Sequence, residues 1–319
     1  MERILVTGGA GFAGSTYVRS MLAGEYPGFE DTLVTVVDDL SYGGNRGNLP
    51  ETHPRLEFVK ADIGNLDLMT LLLRGQEAVV HLASESHTTA QFVHTNAFGT
   101  SCVLEACVRA QVPRVVHVST DDVYGSIEHG SWTEDSPLKP SSPFGASKAG
   151  GDLMVQAYST THGLDVTTIR SCHVFGPYQH RDKLIPRFIT RLLKGRTVGL
   201  YGDGSTERDW LHVEDQCHAI QLLLANGRAG EIYHVAGGNP HTDKQIVERL
   251  ADLCGASDEQ IEYAADHVAA AGAHDLRHSL DDSKIRDELG YRPSIPFEDG
   301  LASTVDWYKA NYLGHIAYY

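Results

Sequence analysis

The sequence predicts an α/β protein with a doubly wound parallel sheet, and three observations lead to this prediction. Several short Val-rich runs lack the alternation of polar and apolar residues that a half-exposed strand shows. These runs alternate with segments of helical periodicity. A glycine-rich turn joins the first run to the first helix. Together they predict a Rossmann-type sheet that is covered by helices on both faces.

The elements are predicted in chain order from these patterns. Strands are expected at residues 4–6, 33–38, 56–59, 78–82, 114–119 and 165–170, and helices at 15–22, 66–73, 96–110 and 148–162. Beyond Gly176 the chain becomes richer in loops, with shorter helices at 185–193 and 243–254. A strand at 232–235 is expected to return to the main sheet. We therefore predict a Rossmann domain at 1–170 with a returning segment at about 213–236, and a smaller α/β domain formed by 171–212 and 237–319.

The turn after the first strand indicates a dinucleotide site. Gly8, Gly11 and Gly14 allow a tight turn and a close approach of the backbone to a pyrophosphate, and the following helix directs its N-terminal N–H groups at the phosphates. Asp38 ends the second strand, about 20 residues beyond the turn, where an acidic residue accepts hydrogen bonds from the adenosine ribose. This carboxylate favours NAD over NADP, because its charge would repel a 2′-phosphate.

Composition excludes several other classes of function. The chain has 42 acidic and 26 basic residues, and its formal net charge of -16 argues against nucleic-acid and anionic-membrane partners. Its five cysteines are scattered, as expected for reduced thiols in the cytoplasm. No apolar run approaches membrane-spanning length. The 17 histidines show no spacing typical of a metal site, so none is expected.

Motifs beyond the glycine turn indicate which family of dinucleotide-binding proteins the chain resembles. The chain resembles the extended short-chain dehydrogenase/reductases that act on nucleotide sugars, and within them the dTDP-glucose 4,6-dehydratases. The motifs that carry this resemblance, besides the opening glycines, lie at residues 83–87, 118–125, 142–148, 176–180, 183–186, 201–204, 208–215 and 274–275.

The resemblance implies a chemistry and a set of site residues. NAD oxidises the sugar at C4, water leaves across C5 and C6, and the hydride returns at C6. The implied catalytic positions are Thr120, Asp121, Asp122, Phe144 and Lys148. The implied cofactor positions are Gly8, Gly11, Phe12, Ala13, Gly14, Asp38, Leu40, Ser41, Asp62, Ile63, Leu82, Ala83, Ser84, Ser119 and Lys148. The implied positions for a dTDP- or UDP-linked sugar are Ser86, His87, Thr120, His173, Lys183, Leu184, Ile185, Pro186, Tyr201, Arg208 and His274.

The chain departs from the family pattern at positions that matter for proton transfer. Phe144 stands where the family has its tyrosine base, and Asp122 stands where it has a glutamate, one methylene longer. His173 replaces an asparagine, so it is either a replaced phosphate contact or a structural histidine. The arginine that usually precedes His274 is missing, which leaves Arg208 as the diphosphate anchor.

Three functions remain open from the sequence. The first is a 4,6-dehydratase, weakened by the loss of the tyrosine, in which Thr120 or a water serves as the base. The second is a sister reaction that shares the C4 oxidation, either UDP-glucuronate decarboxylation or 4-epimerisation. The third is a silent or substrate-trapping binding protein. The resemblance also implies a homodimer whose four-helix bundle is built by the helix at 96–110 and the helix that carries Lys148.

Overall fold

Seven parallel strands form the central sheet of the computed structural model, which describes residues 1–264 and 277–312. The strands of this sheet and of the smaller sheets beside it are, in chain order, Arg3–Thr7 (β1), Leu33–Asp38 (β2), Leu56–Lys60 (β3), Ala78–His81 (β4), Arg114–Thr120 (β5), Val166–Ser171 (β6), His173–Phe175 (β7), Val198–Tyr201 (β8), Glu207–His212 (β9), Ile232–Val235 (β10), Pro240–Thr242 (β11) and Ile261–Ala264 (β12). The sheet has the order β10-β6-β5-β4-β1-β2-β3, so the doubly wound parallel sheet is confirmed.

Helices connect these strands and cover the sheet. They are Phe12–Ala23 (α1), Leu66–Leu73 (α2), Thr89–Phe92 (α3), Thr100–Ala110 (α4), Pro143–His162 (α5), Leu184–Leu192 (α6), Val213–Asn226 (α7), Asp243–Cys254 (α8), Ser283–Leu289 (α9) and Phe297–Tyr312 (α10). A π-helical stretch, Val93–Gly99, joins α3 to α4. No helix within the described ranges is long and apolar enough to cross a membrane.

Both faces of the sheet are buried, which explains why its strands lack a polar face. Ile4 and Val6 of β1 belong to one apolar cluster, and Leu5 between them belongs to another. Successive side chains of a strand point to opposite faces, so all three positions must be apolar. The predicted return of the strand at 232–235 is confirmed, because β10 pairs with β6 in parallel.

Helix α5 begins earlier than predicted, at Pro143 instead of 148. The Ser142 hydroxyl accepts a 3.0 Å hydrogen bond from the backbone N–H of Gly145, and Pro143 occupies the first turn. Both are ordinary helix-starting features, since serine caps free N–H groups and proline lacks the N–H that would be left free. The earlier start places Phe144 and Lys148 one turn apart on the same helix.

A smaller group of elements stands beside the main sheet. Strands β11, β9 and β7 form one small sheet, and β12 pairs with β8. Helices α6, α8 and α10 enclose an apolar cluster that includes Phe188, Leu250 and Leu301. The division of the chain into the two predicted domains stays a prediction.

Candidate active site

The turn between β1 and α1 has no room for a side chain at Gly8 or Gly14. Gly8 has a φ of +69°, and a Cβ there would lie 2.6 Å from the backbone nitrogen of Ala83. A Cβ on Gly14 would lie 2.1 Å from the carbonyl oxygen of Gly8. Gly11 caps α1 without a side chain, so the free N–H groups of the first turn, which includes Phe12 and Ala13, are available to an anion.

Asp38 lies at the carboxyl end of β2 and braces this turn. Its Oδ2 accepts a 2.9 Å hydrogen bond from the backbone N–H of Ala10, and its Oδ1 accepts one of 2.9 Å from that of Leu40. The side chain is only 7% exposed, and burial raises its pKa although these N–H groups oppose the rise. Each oxygen retains a lone pair that can accept a ribose hydroxyl.

A cavity opens between this turn and the ends of β2 and β4. Its lining includes eight of the predicted cofactor residues, namely Gly8, Asp38, Ser41, Asp62, Ile63, Leu82, Ala83 and Ser84. It also includes residues that were not predicted to contact the cofactor, namely Val37, Asp39, Tyr42, Gly43, Gly44, Ala61, Glu85 and Thr95. Gly8 of the turn and the carboxylate of Asp38 line the same cavity, so the residues present fit a dinucleotide.

Tyr42 is the most informative of the residues that sequence reasoning missed. Its ring stacks on His87 at 4.3 Å and lies 4.3 Å from the ring of His180. Its hydroxyl donates a 3.2 Å hydrogen bond to Asp182. Tyr42 therefore joins the loop after β2 to two loops of the predicted substrate region, and nothing in its local sequence indicated these distant partners.

The end of β5 places three polar side chains beside one another. The Thr120 hydroxyl lies 3.1 Å from Oδ1 of Asp121 and 3.0 Å from Oδ2 of Asp122, and it accepts a hydrogen bond from the backbone N–H of Asp122. A single hydroxyl proton can be given to only one of the two carboxylates at a time. Thr120 and Asp122 are partly exposed, whereas Asp121 is buried.

Phe144 and Lys148 occupy successive turns of α5 and differ in their surroundings. The Phe144 ring is partly buried and packs edge-on against Phe92, with ring centroids 5.9 Å apart. The Lys148 ammonium group is buried and donates a 2.8 Å hydrogen bond to the carbonyl oxygen of Val118, next to Ser119 on β5. Burial lowers the pKa of Lys148 to about 8. At neutral pH the lysine is therefore a cation that is held against β5.

A buried polar network lies behind these residues. Asp152 accepts hydrogen bonds from Nε of Arg170 at 2.8 Å and from Nε2 of His117 at 3.1 Å. The Tyr124 hydroxyl bonds to Arg170 at 2.5 Å and to His234 at 2.7 Å. Burial raises the pKa of Tyr124 to about 12. The Tyr124 hydroxyl is thus held by Arg170 and His234. It cannot replace the tyrosine base that is absent at position 144.

Asp121 meets two histidines from distant parts of the chain. Its Oδ2 lies 3.8 Å from Nδ1 of His173 on β7 and 3.5 Å from Nδ1 of His278. Burial raises the pKa of Asp121, but the two neighbouring rings outweigh this and hold it well below its usual range. Asp121 is therefore an anion here. No metal site was expected from the spacing of the histidines, and this grouping of three potential ligands joins residues that are far apart in the sequence.

The predicted substrate residues fall into several groups. Lys183 caps the start of α6 and donates a 3.1 Å hydrogen bond to the hydroxyl of Ser86, close in sequence to His87. Leu184 follows on α6, while Ile185 and Pro186 are buried. The backbone of Tyr201 ends β8, but its side chain lies outside the described residues, as does His274.

Arg208, the predicted diphosphate anchor, is already engaged. Its Nη1 lies 2.5 Å from Oδ1 of Asp243 at the start of α8, and its side chain is 24% exposed. A diphosphate must therefore share the guanidinium with Asp243 or displace that carboxylate. A planar guanidinium has enough donors to bind both at once.

Comparisons with known proteins agree with this geometry. Residues 5–304 match the family model for GDP-mannose 4,6 dehydratase. The chain is 48% identical over 317 residues to a dTDP-glucose 4,6-dehydratase of Streptomyces niveus, covering 97% of this chain and 93% of that protein. It resembles the crystal structure of DesIV, a dTDP-glucose 4,6-dehydratase from Streptomyces venezuelae with NAD bound, with a TM-score of 0.93 and 52% identity over 97% of each chain.

A further solved structure shows how widely this architecture is shared. The UDP-glucose 4-epimerase of Thermotoga maritima, solved with UDP-glucose, matches with a TM-score of 0.87 and 28% identity. The match covers 97% of this chain and 99% of the epimerase. A 4,6-dehydratase and a 4-epimerase thus have the same fold as this chain. The fold therefore does not decide which reaction occurs, and the reaction must be argued from the site residues.

Proposed function

This chain belongs to the GDP-mannose 4,6 dehydratase family of extended short-chain dehydrogenase/reductases, and on that premise we propose that it is an NAD-dependent nucleotide-sugar 4,6-dehydratase of the dTDP-glucose type. One observation carries the proposal. Thr120, Asp121 and Asp122 stand together at the end of β5, at the same edge of the sheet as the Asp38 cavity. Ligands of open α/β sheets bind at this edge.

The cofactor site requires the glycine turn, Asp38 and Lys148. The turn and the free end of α1 hold the diphosphate, and Asp38 holds the adenosine ribose. Bound NAD would supply a hydride acceptor for the oxidation at C4 and a hydride donor for the return at C6. The resemblance implies that Lys148 contacts the nicotinamide ribose, and its buried cation, which the carbonyl oxygen of Val118 holds, would favour transfer of hydride away from the sugar.

The proton of the C4 hydroxyl needs an acceptor other than residue 144. Phe144 has no exchangeable proton, whereas the Thr120 hydroxyl donates to Asp122 over 3.0 Å. Thr120 can therefore take the sugar proton while it passes its own to Asp122. Asp122 is partly exposed and can release that proton to water, which restores the carboxylate as a base for the C5 proton.

Asp121 introduces a difficulty for the elimination step. The acid that protonates the departing C6 hydroxyl must itself carry a proton, but the two histidines hold Asp121 as an anion. This observation favours slow dehydration, and it supports a second candidate of the same branch that needs no acid at C6. That candidate is UDP-glucuronate decarboxylation or 4-epimerisation.

The product mass separates these functions. Purified protein is incubated with dTDP-glucose, UDP-glucose and UDP-glucuronate, and the products are analysed by mass spectrometry. Loss of water from dTDP-glucose is the expected result. Loss of carbon dioxide indicates a decarboxylase, and a changed retention time at equal mass indicates an epimerase. If none of the three sugars is converted, the enzymatic proposal is contradicted. The function that then remains is that of a silent or substrate-trapping binding protein.

We propose that the protein works in the cytoplasm as a homodimer. The five cysteines are free thiols, as expected for a reducing compartment. Two large apolar side chains are exposed on the helical segments predicted to form the dimer, namely Phe98 at 51% and Leu153 at 55%, and Val93, just before the first segment, is 66% exposed. Sedimentation should give twice the chain mass, and Leu153→Lys should shift it towards the monomer, while a monomeric parent protein would contradict the proposal.

A further inference from the structure

We propose that Asp121, His173 and His278 form a binding site for a divalent transition-metal ion of the zinc type. One oxygen and two nitrogens face one another here, and all three lie within 4.8 Å of each other. Two imidazoles and one carboxylate are a ligand set that Zn²⁺ accepts, and three protein ligands with one open position are typical of reactive zinc sites.

The distances are close to those that a bound ion requires. Zinc bonds of 2.0–2.1 Å in tetrahedral geometry separate the ligand atoms by about 3.4 Å. Oδ2 of Asp121 lies 3.5 Å from Nδ1 of His278 and 3.8 Å from Nδ1 of His173. Movements of a few tenths of an ångström would therefore complete the coordination.

Burial makes this arrangement costly without a ligand. The side chain of Asp121 is 2% exposed, and neither its Oδ2 nor Nδ1 of His173 has a hydrogen-bond partner among the described residues. Its Oδ1 lies 3.1 Å from the Thr120 hydroxyl, whereas Oδ2 faces the two imidazoles and is the atom that would bind an ion. A buried carboxylate oxygen without a partner is expensive, and a cation at this point would satisfy it.

The two imidazoles are held in place by their surroundings. His173 lies on β7 opposite Trp210 of β9, and its ring packs edge-on against the Trp210 ring at 5.7 Å. The rings of His173 and His278 are perpendicular, with centroids 5.6 Å apart. The preceding residue, Arg277, pairs with Glu207 at 3.0 Å, which anchors the backbone beside His278. Such fixed ligands lower the entropic cost of binding an ion.

The exposure of the three side chains indicates where the open position lies. The side chains of Asp121 and His278 are 2% and 3% exposed, whereas that of His173 is 27% exposed. A bound ion would therefore be reached from the side of His173. An ion ligated by Asp121 would also keep that carboxylate deprotonated.

Direct metal binding tests the proposal. The full-length chain, without a histidine tag and with its own bound nucleotide, is freed of metal by a chelator and titrated with Zn²⁺ by calorimetry. We expect one ion per chain. We expect His173→Asn and His278→Gln each to weaken Zn²⁺ binding by more than about 100-fold. Removal of a residue that only supports a ligand costs about 10–100-fold in affinity, and removal of a ligand itself should cost more. His129→Gln, which changes an exposed histidine outside the cluster, should leave binding unchanged.

Cobalt provides an independent measurement. Co²⁺ should give the strong visible absorption of a four- or five-coordinate site in the parent chain, and this should be lost in His173→Asn. If His278→Gln does not fold, His173→Asn decides the question, because its side chain is partly exposed and its folding can be checked by circular dichroism. Zn²⁺ binding that is absent, or unchanged in both variants, would overturn the proposal. The measurement needs no turnover, so it gives its answer whether or not the protein converts a sugar, and the product assay tests the proposed enzymatic function separately.

Discussion

The ammonium group of Lys148 lies 2.8 Å from the carbonyl oxygen of Val118, so this buried cation is tied to β5 two residues before Thr120. Phe144 precedes Lys148 by one turn of α5. Helix neighbours four residues apart lie on the same face. A hydroxyl added to the Phe144 ring would therefore approach a region whose lysine charge lowers the pKa of a phenol.

We expect Phe144→Tyr to speed the oxidation at C4. A positioned general base contributes about 10²–10⁴-fold, and the added hydroxyl would supply one. Rapid mixing with dTDP-glucose should show faster growth of the reduced-nicotinamide absorbance in the variant than in the parent chain. In the parent, Thr120→Val should abolish this signal, because it removes the alternative proton path. Equal rates in the parent and Phe144→Tyr would refute the limiting role of Phe144.

Asp38 should make the protein selective for NAD. Cofactor released by denaturation and identified by mass should be NAD, and Asp38→Asn should reduce the preference over NADP by at least about tenfold, since the charge that repels a 2′-phosphate is gone. Asparagine can accept a hydrogen bond from only one of the two N–H groups, Ala10 or Leu40, so the folding of the variant is checked by circular dichroism. NADP as the main cofactor of the parent chain would contradict the assignment of Asp38.

Arg208 and Asp243 should have opposite effects on nucleotide binding. Arg208→Ala should weaken dTDP binding by about 2–4 kcal/mol, as for the loss of one member of a desolvated charge pair. Asp243→Asn should strengthen it, because this change frees the guanidinium from its ion pair. Calorimetry with dTDP measures both effects. Unchanged affinity in Arg208→Ala would place the diphosphate elsewhere.

The buried pair Arg170–Asp152 should be important for stability. Arg170→Met leaves the Asp152 carboxylate buried without its cation, which should lower the free energy of unfolding by about 3–5 kcal/mol. The matched control is Arg228→Met, which breaks the exposed pair with Glu288 and should cost far less, because solvent screens that pair. Denaturant unfolding followed by fluorescence compares the two. Similar losses in both variants would contradict the prediction.

Lys148 should make stability depend on pH in the alkaline range. Burial lowers its pKa from 10.5 to about 8, so below pH 8 the folded protein bears the full cost of the buried charge, about 3 kcal/mol. Between pH 8 and 10.5 the unfolded chain binds more protons at this site than the folded chain, and the cost disappears as pH rises. Lys148→Met should therefore raise the melting temperature more at pH 7 than at pH 10. An equal rise at both values would argue against the lowered pKa.

The sequence by itself determined the parts of this protein that depend on neighbours along the chain. The glycine turn, the apolar strands and Asp38 at the end of β2 were all predicted, since turn geometry, periodicity and strand ends are local properties. The start of α5 was missed although Ser142 and Pro143 are local signals as well. Those two residues should have been taken as a helix start.

Only the tertiary structure decided which distant side chains meet. Tyr42 packs on His180, Arg208 pairs with Asp243, and Asp121 faces His278 from more than 150 positions away. Such contacts depend on how the strands and loops are ordered in space, and no periodicity or spacing in one sequence records that order. The electrostatics of Asp121 follow from these contacts, because burial and neighbouring rings, both set by packing, determine its charge.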